Sequence, residues 1–260
     1  MSASLVGSEM CIRDRERIEQ NVKKVYDTIN QYCVEHELLT NGDGIVIGLS
    51  GGMDSVCLLQ VLAALRNEWQ LRLVCVHVHH GIRGTAADED AAFAQRLAAK
   101  YNISFRLYEM DIPQLAKEQG LSEEEAGRNY RYRCFEEVRK ELNFDKIAVA
   151  HHRDDQAETV LWQILRGSGL RGVCGMRAGR ANIIRPLLCL DRQQIEQIVR
   201  GNGDGWREDA TNREEKYTRN KIRNRVFPYI EQEIQPMARR HLVELAEDCQ
   251  RAWDLSLIHI

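Results

Sequence analysis

The chain has 260 residues, 43% hydrophobic and 29% charged, enough apolar side chains to bury one large domain or a domain and a half and too many for a mostly disordered chain. It contains no run of 18 apolar residues, which argues against a membrane-spanning helix. The net charge of -3 conceals a division: residues 1–165 carry -7, residues 166–230 carry +7 and the remainder -3, so the middle segment is either a local polyanion contact or a solvated charged face.

The two ends, residues 1–15 and 255–260, resemble translated sequencing-adapter strings, and a natural protein continuing past residue 254 is expected. Ile18, Val22, Val25, Tyr26, Ile29, Tyr32 and Cys33 form a helical stripe over residues 16–39, ended by Asn41-Gly42-Asp43-Gly44. Residues 45–49 read as a buried strand and 54–66 as a helix. Strands are expected at 71–78, 103–109, 146–150 and 182–185, and helices at 88–100, 122–142, 154–166, 191–200, 219–234 and 235–253. This alternation predicts an α/β fold, a Rossmann-like parallel sheet with helices on both faces, followed by a helical C-terminal extension. The site should lie outside the carboxyl ends of the strands. The expected division is a non-native leader over 1–15, a nucleotide-binding catalytic domain over 16–230, a helical linker or the start of a further region over 231–254, and a non-native tail. The eight cysteines avoid C-x-x-C spacing and mostly sit in apolar runs, which favours reduced core thiols in a cytoplasmic protein.

Ser50-Gly51-Gly52-Met53-Asp54-Ser55 joins the first strand to its helix with no bulky side chain in its first three positions. A helix start of this kind presents unpaired amides and the positive end of a dipole, so a phosphate cradle is expected. The loop is not a P-loop, because G-x-x-x-x-G-K-[ST] is absent. A second cluster, His151-His152-Arg153-Asp154-Asp155-Gln156-Ala157-Glu158-Thr159, lies at another strand-to-helix junction. Asp154, Asp155 and Glu158 fall within one turn and can bind Mg2+, bind an ammonium, or cap the helix. The paired histidines lack a third nitrogen or sulfur ligand at fixed spacing, which disfavours zinc.

SGGMDS resembles the pyrophosphate loop, or PP-loop, of ATP pyrophosphatases. With HVHHGIR, EAGRNYRY, AHHRDDQAET, RGSGLRGVCGM, RPLL, WREDATN and YTRNKIR following in order and spacing, residues 17–235 resemble the tRNA(Ile)-lysidine synthetase family. Departures are Gly127 where alanine is common, His79 where asparagine is frequent, and Ala210 and Thr211 where serines are frequent. The resemblance implies ATP and Mg2+ as cofactors, with free L-lysine and a tRNA(Ile) bearing a CAU anticodon as partners. It implies no membrane, and a homodimer stays open. It further implies that Ser50, Gly51, Gly52, Met53, Asp54 and Ser55, with His80 and Arg131, hold ATP, and that Asp54 contacts the metal. Arg128 joins Asp54, His152, Asp155 and Glu158 in the implied catalytic set. Asp155 and Glu158 would contact lysine, with His152 or a carboxylate taking its proton. Arg219, Asn220 and Arg223 would contact tRNA, within a phosphate-binding surface that also includes Arg166, Arg171, Arg177, Arg185, Arg207, Lys221 and Arg225. A 2-thiocytidine synthetase would share SGGMDS but should carry cysteines in C-x-x-C spacing. A non-catalytic ATP- or RNA-binding module would not need the acids.

Overall fold

A computed structural model describes residues 22–79, 85–207 and 218–258. The assignments made to His80, to residues 1–15, to Ala210 and Thr211, and to the last two residues lie outside them. Residues 22–35 form helix α1. There follow β1 (Gly44–Gly48), α2 (Met53–Leu65), β2 (Arg72–His79), α3 (Thr85–Lys100), β3 (Ser104–Glu109), α4 (Ile112–Gln119), α5 (Glu123–Glu141), β4 (Lys146–Ala148) and α6 (Arg153–Leu165). The rest comprises α7 (Leu170–Val173), β5 (Gly179–Arg180), β6 (Ile183–Ile184), α8 (Arg192–Gly201), α9 (Thr218–Lys221), α10 (Phe227–Glu233) and α11 (Ala238–Ile258).

The sheet has the order β3-β2-β1-β4-β6-β5, parallel except for the β5–β6 pair. Its central strand is buried on both faces: Ile45 and Ile47 join one apolar layer and Val46 the other, all at 0% exposure. Such double burial explains why these strands read as continuous apolar runs rather than alternating ones. Each such side chain contributes roughly 1.5–3 kcal/mol by leaving water, so the register Ile47 to Cys75 and to Ala148 is strongly specified.

Besides the four-residue α7, three elements depart from the sequence expectation. Helix α4 was not expected, although its signals are present: Asp111 accepts the amide of Gln114 at 3.0 Å, Pro113 occupies the first turn, and Gly120 closes the helix at φ 65°. The strand expected at 182–185 shortens to β6 and gains an antiparallel neighbour, β5, so the sheet is not wholly parallel. The helix expected at 219–234 is divided by a π-helical stretch, Ile222–Val226, just ahead of Pro228. Proline has no amide to donate and its ring crowds the carbonyl four residues back, and the wider π turn accommodates it.

The strand order reverses direction of travel at β1 and β4, which lie side by side while their connections run to opposite sides. The crevice outside their carboxyl ends is where such folds bind ligands. Helices α2 and α6 both begin there. Helix α11 packs on α6 and α7, and Arg177 from the strand side pairs with its Asp254 at 2.6 and 3.0 Å.

Candidate active site

The loop between β1 and α2 is shaped by one hydroxyl. Ser55 Oγ accepts the amides of Ser50 and Gly51 at 3.2 and 3.1 Å and donates to the Gly52 carbonyl at 2.8 Å. Gly51 sits at φ +89°, where a β-carbon is strained, and that β-carbon would also press on Phe93 at 3.4 Å. No side chain caps α2, whose N-cap is Gly52. The amides of Met53, Asp54 and Ser55 therefore remain for an anion at the positive end of the helix dipole. Ser55 thus organises the cradle through its side chain rather than lining it. The loop is also held from outside: Arg207 donates its amide to the Gly51 carbonyl at 2.9 Å, while its guanidinium grips Asp90 and Glu89, each at 2.7 Å. His77 Nδ1–H donates to the Leu49 carbonyl at 2.8 Å from β2.

The start of α6 is closed where that of α2 is open. His152 Nδ1 accepts the amide of Asp154 at 3.2 Å, and the amide of His152 donates to Asp155 Oδ2 at 3.0 Å. With Nδ1 used as an acceptor, neutral His152 carries its proton on Nε2. That atom lies 3.7 Å from Asp54 Oδ2 and 3.6 Å from Asp155 Oδ2. Both His152 Nε2 and Asp54 Oδ1 are buried with no hydrogen-bond partner among the described residues. A buried polar atom left without a partner is costly, and two facing one small space mark a place for a polar ligand. Burial pushes the Asp54 carboxyl up, while His152 pulls it back. Asp54, beside open amides, suits a Mg2+ ion that takes most of its ligands from phosphate and water. No group of three or more His, Cys, Asp or Glu arranged for a metal occurs among the described residues.

Asp155 and Glu158 face the same crevice, both buried. Neither is open. Arg219 and Arg223 each reach both acids, at 2.6 to 2.9 Å by their closest contacts. Burial opposes the charge on Asp155, but His152 and Arg219, with His151 and Arg223, hold its carboxyl at about 2. His151 is desolvated and neutral, lowered to about 3, with Arg185 Nε donating to its Nδ1 at 3.3 Å. Arg128 and Arg131 lie on α5, both solvent-accessible, with Arg128 stacked over Tyr132 at 5.6 Å. Arg128 disfavours the charged forms of His151 and Arg185, and Arg131 that of His77.

The structure thus gathers Asp54, His152, Asp155, Glu158, Arg219 and Arg223 in one cluster. Among the described residues of the basic segment, Arg177, Arg185, Arg207, Arg219 and Arg223 have internal partners, while Arg166, Arg171 and Lys221 are exposed. Asn220 is half-buried on α9 beside Arg219. Three contributors escaped sequence reasoning. Gln156 pairs its amide with both backbone groups of Met176, at 2.9 and 2.7 Å, and Gln250 of α11 donates to the Met176 carbonyl at 3.1 Å. Arg239 of α11, stacked over Phe227 at 4.1 Å, stands 4.0 Å from Glu158 and from Asp154. Gln156 was inside a quoted motif, but nothing in the sequence links it or Arg239 to the segments they touch.

The family model described as PP-loop domain matches residues 15–230. A tRNA(Ile)-lysidine synthase of Caldanaerobacter subterraneus subsp. tengcongensis is 46% identical over 87% of this chain and 49% of the relative. A Clostridium perfringens protein of the same name is 42% identical over 88% and 48%. The chain spans about half the length of the curated relatives it matches. Among solved structures, the U34-tRNA thiolase NcsA of Methanococcus maripaludis, with its [4Fe-4S] cluster, superposes with a TM-score of 0.72 at 18% identity, over 89% of this chain and 79% of that one. That likeness concerns the fold.

Proposed function

Since the chain belongs to the PP-loop domain family, we propose that it joins free L-lysine to the wobble cytidine of a tRNA(Ile) with a CAU anticodon, at the expense of ATP. The observation that carries this reading is the meeting of two chemistries in one crevice: an open helix start with Asp54, and the Asp155–Glu158 pair, bridged by His152 within 3.7 Å of Asp54 and 3.6 Å of Asp155. Mere nucleotide binding needs the first and not the second. The relatives' name, tRNA(Ile)-lysidine synthase, supports the tRNA(Ile) substrate.

In the first step the cytosine 2-carbonyl oxygen attacks the α-phosphorus of ATP, and the bond to pyrophosphate breaks. The amides at the head of α2 meet the charge that develops on phosphate, and Arg128 and Arg131 would add to it. Asp54 would hold Mg2+, which when bound neutralises phosphate charge. In the second step the lysine ε-amine attacks carbon 2, the carbon–oxygen bond to AMP breaks, and the amine gives up a proton. Asp155 and Glu158 orient the amine. His152 Nε2 carries a hydrogen already, so that atom does not take the proton in the neutral ring; it stands 3.7 Å from Asp54 and 3.6 Å from Asp155, beyond hydrogen-bond reach, and is open to a ligand. Asp155, held at about 2, is a binding partner and a weak base. Glu158, held by the same two arginines, is the other carboxylate within reach of the proton. The target base would come from the single-stranded anticodon loop, where it is already unpaired.

The thiolation reading is disfavoured by the cysteines, of which Cys33, Cys57, Cys75, Cys134 and Cys174 are buried and separate. No helix among the described residues is long and apolar enough to cross a membrane, and a cytoplasmic setting with reduced thiols suits a tRNA substrate. ATP–pyrophosphate exchange and AMP release, each with and without tRNA and lysine, test the proposal: exchange that needs tRNA and AMP release that needs lysine is expected. Exchange indifferent to both overturns it.

A further inference from the structure

The two arginines that sequence reasoning gave to RNA are bound to the two acids that it gave to lysine. Arg219 donates from Nε to Glu158 Oε2 at 2.9 Å and from Nη2 to Asp155 Oδ1 at 2.8 Å. Arg223 donates from Nε to Glu158 Oε1 at 2.6 Å and from Nη2 to Asp155 Oδ1 at 2.8 Å. Both Glu158 oxygens are taken, and the free side of Asp155 is taken too, since its Oδ2 already caps α6. An incoming ammonium finds neither of these two carboxylates open.

The immediate pairing points the same way. Asp155 and Glu158 are matched one for one by Arg219 and Arg223, and Arg239 of α11, itself paired with Glu231 at 3.0 Å, adds a further cation 4.0 Å from Glu158. Glu158 is 1% exposed. A further cation at Glu158 would find both of its oxygens engaged, and a buried charge without a partner of its own is costly. An amine and the resident arginines are therefore rivals for the same oxygens.

The arginines have somewhere else to go. Their side chains keep 38% and 31% exposure, unlike the acids at 9% and 1%. The guanidinium fork fits phosphate as well as carboxylate, again by paired hydrogen bonds. They stand on a four-residue helix and the π-helical stretch after it, short elements in which the backbone hydrogen-bond register is irregular. We infer that Arg219 and Arg223 are the resident cations of the Asp155–Glu158 site and release it only to phosphate, so that lysine binds after a phosphate-bearing ligand. This rests on the amine-binding role proposed above. The phosphate can come from the RNA backbone or from the nucleotide.

Equilibrium dialysis of labelled L-lysine against the full chain separates the cases. Four arms are needed: protein alone, with Mg2+ and a non-hydrolysable ATP analogue, with an RNA hairpin carrying a CAU loop, and with both. Lysine affinity is expected to rise roughly fivefold or more in at least one phosphate arm, a usual size for coupled sites. The arm that raises it identifies the source. Arg223→Met should bind lysine as well alone as with phosphate ligands, and Arg219→Lys, which keeps the charge without the fork, should show a reduced phosphate effect. Equal wild-type affinity in all four arms overturns the inference and leaves the amine role standing. Lysine binding in no arm removes both.

Discussion

His152 Nε2 stands 3.7 Å from Asp54 Oδ2, across the gap between the heads of α6 and α2, and neither that nitrogen nor Asp54 Oδ1 has a partner among the described residues. The imidazole does two jobs on opposite edges. Its Nδ1 caps α6, and its Nε2 faces the metal candidate. His152→Asn separates them, because asparagine is among the best N-caps and lacks the second nitrogen. Stability should change by less than about 1 kcal/mol, while ATP–pyrophosphate exchange falls on the order of a hundredfold, the usual cost of one well-aimed donor. Unaltered exchange with intact folding would confine His152 to capping.

His151 is held to about 3 by burial, below the ordinary histidine value of 6.5, despite the pull of Asp155. The unfolded chain therefore binds the proton more readily than the folded one. The stability His151 confers is complete above the unfolded value and is lost as pH falls from about 6.5 toward about 3. The limiting slope is about 1.4 kcal/mol per pH unit. Urea midpoints measured between neutral and mildly acid pH should fall less steeply for His151→Gln than for the wild type. Parallel curves would mean that His151 titrates freely in the fold.

Glu158→Gln keeps the shape of the side chain and removes its charge. The expected result is a raised requirement for lysine, with tRNA adenylation still measurable. Because two arginines lose one of their two acids, a stability loss is also expected, smaller than the roughly 3–5 kcal/mol of a fully buried pair because both arginines are about one third exposed, to be read by denaturant titration. Loss of adenylation with ordinary lysine dependence would remove Glu158 from the amine site.

Gly51→Ala places a β-carbon at φ +89° and 3.4 Å from Phe93. The strain is worth roughly 1–3 kcal/mol. The loop should relieve it by moving, which would break the contacts of Ser55 Oγ with the amides of Ser50 and Gly51. Nucleotide affinity is expected to drop with little change in lysine binding measured with the RNA hairpin. Undiminished ATP binding would show that the cradle does not need this conformation.

Sequence by itself determined the framework. The central strands β1 and β2 are legible because a strand covered on both faces must be largely apolar, and Ile45, Val46 and Ile47 leave no other reading. The loop at Ser50 to Ser55 is legible because only residues without bulk can present backbone amides to an anion. Even α4, which was missed, had its cap at Asp111, its proline at 113 and its closing glycine at 120. What spacing cannot convey is pairing across the chain. Asp155 and Arg219 are 64 residues apart, and Gln156 and Gln250 meet at Met176 from either side of it. The residue types were visible, but the choice of partner was not: an arginine fork accepts carboxylate or phosphate with nearly equal ease, and a buried carboxylate must take whichever cation the fold brings to it. Only the packing of α9 and the π-helical stretch against α6 decided that the acids and the arginines hold one another, and so turned two separate binding surfaces into one coupled site.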